Sequence, residues 1–366
     1  MADAQFLPAP ARRQPRVSRT AAWWLKDRIF SSPFHVALSI VVLVGAAFIG
    51  QFLLRWGVLD AVFVASDPAA CQAAKGACWA VVYEKHRTIL FGLYPHSEHW
   101  RPTLAVCLYL VILTITLMPR FWNLRGLALL WACTVTAIGV LMYGGVFGLP
   151  EVATSEWGGL ALTMIMFTGT VVMGFPVAVL LALGRRSTLT LVRSVCVTII
   201  ETLRGVPLIT ILFVAVNVLP LFLPAGSSVD KLLRVTIGIA IFFACYQAET
   251  IRGGLQAVPR GQYEAAQALG LGYWQMTRVI ILPQALKIAF PAIVNHIIAA
   301  LKNTSFVMII GLFDILNATT SVMQDPVWRK YYVEAYVFVG LVYFVFGFAL
   351  SLYARAMEAQ MKKGHH

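Results

Sequence analysis

Ionisable residues inside apolar surroundings are the ones whose types and spacing could do chemistry in this chain. Lys302 and Asp314 fall in one long apolar stretch, Glu201 and Arg204 stand three apart, and Glu249 closes another apolar run. A charge at the centre of a bilayer costs on the order of 2.5–3.5 kcal/mol on insertion scales, so Lys302 must face protein or water. With Asn303 and Ser305, these residues could line a substrate path, gate it, or relay ions. Glu201 and Arg204 could equally make a structural pair at a helix end, and Lys302–Ser305 could equally serve helix packing. Twelve residues separate Lys302 from Asp314, about three turns of straight helix and too far to pair, unless the helix breaks between Lys302 and Ser305. Covalent and metal chemistry find no support. There is no G-x-x-x-x-G-K-[ST] for a nucleotide, no H-E-x-x-H or G-x-S-x-G, and the seven histidines are scattered. His365 and His366 end the chain as the remnant of a tag would.

The elements that position these charges are helices in a membrane. The chain has 366 residues, of which 59% are hydrophobic and 12% charged, against about 25% charged in a soluble domain. Stretches free of Asp, Glu, Lys and Arg run 31–54, 102–119, 126–150, 157–184, 205–229, 235–248, 288–301 continuing through 303–313, and 335–354. A bilayer core is crossed by about 20 apolar residues, so the pattern predicts an all-α polytopic protein with about eight transmembrane helices. Continuous rather than alternating apolar runs argue against strands, and an open sheet would leave its backbone unpaired in lipid.

The formal charge of +13 orients them. Basic residues mark the cytoplasmic side, which places the tail carrying Arg12, Arg13, Arg16, Arg19, Lys26 and Arg28 inside. Alternation then puts residues near 55–101, 149–157, 224–234 and 317–334 outside, and those near 119–125, 185–204, 249–287 and the C-terminus inside. So sorted, the inner segments hold 19 of the 29 basic and 6 of the 16 acidic residues, which is the whole excess. A nucleic-acid footprint is thereby excluded. The N-terminal segment lacks the short apolar region and small-residue site of a cleaved signal. Residues 1–20 read as disordered, and Ala21–Phe30 as a surface helix or a simple juxtamembrane anchor.

Cys107, Cys133, Cys196 and Cys245 lie in or beside spans, where a thiol is a small hydrophobe. Cys71 and Cys78 share the outer loop 55–101; an oxidising compartment would let them pair, and otherwise they stay as thiols. In the same loop, Trp79–Tyr83 and Ile89–Tyr94 would lie on the membrane or pack on the outer helix ends.

The most informative inner segment is Tyr246–Pro283. After Pro259 a short helix is predicted from Gly261 to Leu269, stopped by Gly270, where a positive φ suits glycine. Gln262, Ala265, Ala266 and Leu269 share one face by spacing. A second short helix is predicted over Tyr273–Ile281, before Pro283 opens the next span. A short amphipathic helix on this side is a docking peg for a soluble partner or an interfacial loop helix without one.

Glu264-Ala265-Ala266, then Gly270, then Ile280-x-Leu282-Pro283 resembles the EAA motif of ABC-importer permease subunits. Glu201-Thr-Leu-Arg204-Gly205-Val-Pro207, Glu249-x-x-Arg252-Gly253-Gly254 and Leu301-Lys302-Asn303-Thr304-Ser305 resemble the polar amino-acid uptake branch. The resemblance covers about residues 158–353, and the long outer loop is similar to the M-type subunit of general L-amino-acid uptake systems. It implies a type I permease core in the five C-terminal spans, over residues 158–357, with the EAA loop at 252–283. Residues 1–30 and 358–366 would be cytoplasmic tails, and residues 31–157 three additional spans with the periplasmic loop.

It further implies that Arg260, Glu264, Ala265, Ala266 and Gly270 couple the chain to an ATPase subunit dimer, which alone binds ATP and Mg. No cofactor or metal would be bound by this chain. A second, different permease subunit and a periplasmic amino-acid-binding protein would complete an inner-membrane importer. Relatives commonly carry Asp where this chain has Asn303; if that position faces substrate, the neutral residue suits a broad range of amino acids. The competing expectation is a stand-alone ion-coupled secondary transporter relaying through Lys302, Asp314 and Glu249, which would typically show internal repeats.

Overall fold

A computed structural model describes residues 32–64, 68–121, 123–224 and 229–363. The basic tail with its proposed Ala21–Phe30 helix, residues 225–228 of the predicted outer loop, and His365 and His366 lie outside the described residues. Among the described residues the fold is all-α and polytopic. Seven helices are long and apolar enough to cross a membrane, or eight if one bent pair counts as a span.

Contacts divide the chain into two units, Met1–Val62 with Ala70–Ala77, and Phe63–Ala69 with Cys78–His366. The first contains α1 (Pro33–Leu54), capped by Ser32, whose hydroxyl accepts from the His35 N–H at 3.3 Å. No residue of α1 is buried, so its apolar surface is turned outward on every side, the composition of a lipid-facing span. A wider π turn, Arg55–Leu59, ends it. Backbone bonds from Val62 to Ala77 (2.8 Å) and from Ala77 to Trp56 (2.7 Å) close this unit.

Apart from α2 (Pro68–Ala73), which straddles the division, the other helices belong to the second unit. They are α3 (Ala80–Phe91), α4 (Trp100–Leu117), α5 (Leu124–Tyr143), α6 (Gly159–Arg185), α7 (Thr190–Gly205), α8 (Leu208–Phe213) and α9 (Lys231–Ala257), followed by α10 (Arg260–Ala268), α11 (Tyr273–Met276), α12 (Leu282–Asn303), α13 (Ile315–Val322) and α14 (Tyr332–Lys363). Helix α9 is central. It runs along α6 and α12, and α12 in turn packs on α14. Glycines permit the close approach: a Cβ at Gly174 would lie 2.6 Å from the Ala240 carbonyl oxygen, and one at Gly254 would overlap that of Ala285. Between helices in lipid, such small residues let dispersion contacts form along the backbone.

Four expectations are corrected here. The fifth span does not begin at Gly205: helix α7 occupies the segment read as an inner loop, and α7 and the following Leu208–Phe222 are bent by 106°. Pro207 causes the break, since the residue before a proline is driven out of the helical region and Val206 is extended at φ −96°, ψ 133°. Pro283 does not open a new helix. Tyr273–Ile310 runs as one helical stretch, because the π turn Thr277–Ile281 widens the ladder just before the proline.

The stretch 303–313 is not a straight continuation: α12 passes into a 3-10 segment, Thr304–Ile310, stopped by Gly311 at φ +75°. Finally, a minimal strand exists. Gly158–Gly159 makes parallel bridges with Phe313–Asp314, a two-residue pairing that joins the start of α6 to the turn before α13. The semi-apolar outer segment forms α3, which packs on α13.

Candidate functional site

Helix α10 starts directly after Pro259, whose fixed φ of −57° sets the turn out of α9. It ends where Gly270 takes φ +73°; there Gly270 N–H donates to Gln267 O at 2.9 Å and Leu271 N–H to Ala266 O at 3.1 Å, closing the last carbonyls. The face predicted from spacing is divided. Ala266 is fully buried, packed in a cluster with Leu255, Val258, Met276, Ile281 and Ala285, while Leu269 is 76% exposed. Gln262 is bound to Gln284 at 3.0 Å, which also donates to Ile280 O. The inner face is thus Tyr263 and Ala266, and the bare face carries Gly261, Glu264, Ala265, Ala268 and Leu269.

Two residues outside the motif fasten this helix. The Tyr263 hydroxyl donates to Leu255 O at 3.1 Å. Arg186 donates to the same carbonyl at 2.8 Å and to the Tyr263 hydroxyl at 3.1 Å, with its guanidinium 5.7 Å from the Tyr263 ring centre. The signal for Arg186 was one more arginine in a basic segment, and only folding distinguishes it. Arg260 and Glu264 line a cavity of about 440 Å³ beside Arg186 and Tyr263.

The predicted Glu201–Arg204 pair is replaced by a wider cluster. Arg185, at the end of α6, contacts Glu201 at 2.7 Å and Glu249 at 2.9 Å; Glu249 also meets Arg252 at 3.0 Å and Arg204 at 3.9 Å. Arg204 lies 5.3 Å from the Tyr246 ring centre, and Tyr246 donates to Arg204 O. Three arginines and two glutamates therefore join α6, α7 and α9, with one positive charge in excess. Glu201 and Arg204 are one helical turn apart, but Glu201 turns to α6 and Arg204 to α9.

Lys302 and Ser305 line a cavity of about 340 Å³ with Leu316, Tyr336, Gly340 and Tyr343. Asn303 is half-buried and is not among its lining residues. Asp314 is fully buried, and it caps α13 by accepting from Asn317 N–H at 2.9 Å. The Tyr343 hydroxyl stands 3.5 Å away. Asp314 is consequently a helix cap behind the cavity, and the helix break before it removes the straight-rod geometry that placed it three turns above Lys302.

Arg101, counted as an outer-loop charge, is fully buried. Its guanidinium donates to Leu141 O at 2.6 Å, Met142 O at 3.3 Å and Pro150 O at 2.8 Å, which satisfies the carbonyl end of α5. Tyr94 donates to Met142 O at 2.9 Å, and burial pushes its phenol up to about 12. Glu334 is also buried, accepting from Cys78 N–H at 2.9 Å. Among the described residues no group of three or more His, Cys, Asp or Glu could hold a metal.

Residues 174–363 match the family model described as "Binding-protein-dependent transport system inner membrane component". The chain is 43% identical over 364 residues to an inner membrane amino-acid ABC transporter permease protein of Escherichia coli (strain K12), covering 98% of each. It is 36% identical, over the whole of both chains, to a glutamate/glutamine/aspartate/asparagine transport system permease protein of Rhodobacter capsulatus. A solved structure described as an amino acid ABC transporter with histidines aligns at 31% identity and a TM-score of 0.49, covering 55% of this chain and 92% of that one.

Proposed function

Because this chain belongs to the family of binding-protein-dependent transport system inner membrane components, we propose that it is the permease subunit of an importer that takes up L-amino acids. Family membership sets aside the stand-alone secondary transporter. ATP and Mg are bound by a partner ATPase dimer, and a second permease subunit of different sequence and a periplasmic amino-acid-binding protein complete the complex. The observation that carries this reading is α10, fastened on one face by Tyr263 and Ala266 and bare on the other. In that role Glu264, Ala265 and Arg260 meet the ATPase, Ala266 seats the helix, and Gly270 sets its exit. ATP-driven closure of the two ATPases moves the membrane helices as rigid bodies through these contacts.

Both termini are cytoplasmic in this reading, so α10 lies inside and α3 outside. Cys71 and Cys78 then face the oxidising side and form a disulfide. Residues 158–357 form the permease core, and residues 31–157 its additional spans. The cluster around Glu249, with Glu201 and Arg204, closes the inner end of the path, and Lys302 and Ser305 line it. No carboxylate lines the Lys302 cavity, which supports a broad cargo range over a cation-selective one.

Reconstitution in proteoliposomes tests this. The chain with its partner permease, ATPase and binding protein takes up radiolabelled amino acids only with ATP, and the chain alone does neither transport nor hydrolysis. Ion-driven uptake by the chain alone would end the reading.

A further inference from the structure

We infer that the chain holds an anionic phospholipid in a recess between the end of α6, the start of α7 and α11, with the lipid phosphate on Arg186. The inference needs only the membrane-spanning fold, and it stands whichever cargo or partner the chain serves.

The recess is a corner of the fold. Helices α6 and α7 touch at Gly184, where a Cβ would overlap Cys196 Sγ. The turn between them is fixed: Ser187 N–H donates to Gly184 O at 3.0 Å, and Leu189 N–H donates to the Ser187 hydroxyl at 3.1 Å. Tyr273 and Trp274 of α11 supply the remaining wall, and the space left is about 470 Å³, within the range of small-molecule sites. Its level follows from the sequence. The charge-free run of α6 ends at Gly184, and Arg185 and Arg186 follow directly. The recess therefore spans the boundary between hydrocarbon and headgroups on the side of α10. Exposed aromatic rings at that level would by themselves be an ordinary interfacial belt. A recess walled by a cation is what sets this corner apart.

Its lining divides as a lipid does. Leu180, Leu183 and Val192 are apolar, and Leu180 and Trp274 are exposed, open to an acyl chain. Arg186, Ser187 and Thr188, beyond the end of the span, are polar. Nη1 of Arg186 makes both bonds toward α10, to Leu255 O and the Tyr263 hydroxyl. The Nε and Nη2 edge is left, a planar fork that fits a phosphate. Because the Ser187 hydroxyl accepts from Leu189 N–H, it keeps its own proton to donate. No carboxylate lines the recess. Arg193 lies four residues after Leu189, and Arg278 four after Trp274, each one turn from a lining residue. Neither meets a carboxylate within ion-pair distance among the described residues. Three guanidinium groups around one corner favour a headgroup of net negative charge over a zwitterionic one. A free phosphate would use the polar lining alone, and the apolar lining continuous with it selects the lipid.

Native mass spectrometry of the purified, delipidated full-length chain provides the test, with equimolar dioleoylphosphatidylglycerol and dioleoylphosphatidylcholine as probes. The wild type retains phosphatidylglycerol at least fivefold over phosphatidylcholine. Thr188→Glu changes an exposed residue and sets a carboxylate in the recess, and it lowers phosphatidylglycerol retention at least fivefold. Thr188→Gln, of the same size without the charge, keeps retention within twofold of the wild type. Melting gives a second reading: phosphatidylglycerol raises the midpoint of the wild type by at least about 2 °C more than that of Thr188→Glu. Millimolar sn-glycerol 3-phosphate does not displace the lipid. Equal retention of the two lipids by the wild type, or undiminished phosphatidylglycerol on Thr188→Glu, overturns the site. Displacement by glycerol phosphate overturns the lipid as its ligand.

Discussion

Arg185 holds Glu249 at 2.9 Å, and that contact joins the end of α6 to the stretch of α9 that leads into α10. Glu249 simultaneously serves Arg204 and Arg252, so its removal leaves three guanidinium groups sharing Glu201. Glu249→Gln keeps the shape and deletes the charge. Hydrogen bonds to charged groups contribute about 1.5–3 kcal/mol each, reduced here because the side chains are partly solvated. The expected outcome is a lower thermal midpoint for the purified complex and faster ATP hydrolysis uncoupled from uptake. An unchanged ratio of ATP hydrolysed to amino acid imported would show that the cluster is structural only.

The buried Arg101 predicts a purely structural effect on the opposite side of the molecule. Arg101→Ala leaves the carbonyls of Leu141, Met142 and Pro150 without their donor. Each unsatisfied buried group costs about 1–3 kcal/mol. Arg101→Lys retains the charge but cannot reach three oxygens from a planar fork. Both variants should lower the yield and melting temperature of detergent-purified protein, the alanine more. Equal stability of all three proteins would show that water replaces the guanidinium.

Helix α10 separates seating from signalling. Ala266→Leu forces extra methylenes into a filled cluster, at a cost of about 1–3 kcal/mol, and should reduce both stability and coupling. Glu264→Lys alters only the bare face, so the melting temperature holds while ATPase stimulation by the binding protein falls. Gly270→Ala meets no neighbour but must adopt φ +73°, for about 1 kcal/mol of strain. Loss of stability in Glu264→Lys comparable to that in Ala266→Leu would contradict the division of faces.

What was legible in the residues followed from continuous patterns. Apolar runs located the spans because hydrocarbon demands about 20 such residues, and Pro259 and Gly270 bounded α10 because each restricts or frees φ. What was hidden depended on partners far along the chain. Arg185, Arg186 and Arg101 look alike as basic residues, yet folding puts one in an ion cluster, one against α10 and one in the core. Helix α7 was missed for a related reason: Arg193, Glu201 and Arg204 interrupt its apolar count, although its amphipathic face is helical. Asp314 reads as an intramembrane charge until Gly311 breaks the stretch and makes it a cap.

A pH dependence should appear at the contact between α3 and the turn after α13. Lys85 donates to Asp325 at 3.0 Å, and this bond, aided by the Val327 N–H, holds the Asp325 carboxyl below its usual range. A carboxylate with a depressed folded pKa stabilises above its unfolded value, near 3.9, and loses that contribution as pH falls through the folded one. Asp325→Asn should therefore melt below the wild type at pH 7 and together with it near pH 2. A difference that persists in acid would assign the effect to packing.

Position 303 separates what neighbouring residues along the chain can do. Asn303 and Ser305 flank the point where α12 tightens into the 3-10 segment, and only Ser305 lines the cavity with Lys302. A carboxylate at Ser305 would share that cavity with the ammonium, neutralise it and reverse the charge that the proposed path presents there. Ser305→Asp should thus depress uptake of every amino acid, at least fivefold. Asn303→Asp adds the same charge one position outside the lining, so competition by arginine and lysine against neutral amino acids should move less than twofold. A marked gain in cationic competition from Asn303→Asp would instead place position 303 against the cargo, and the helix would have to turn during transport to bring it there.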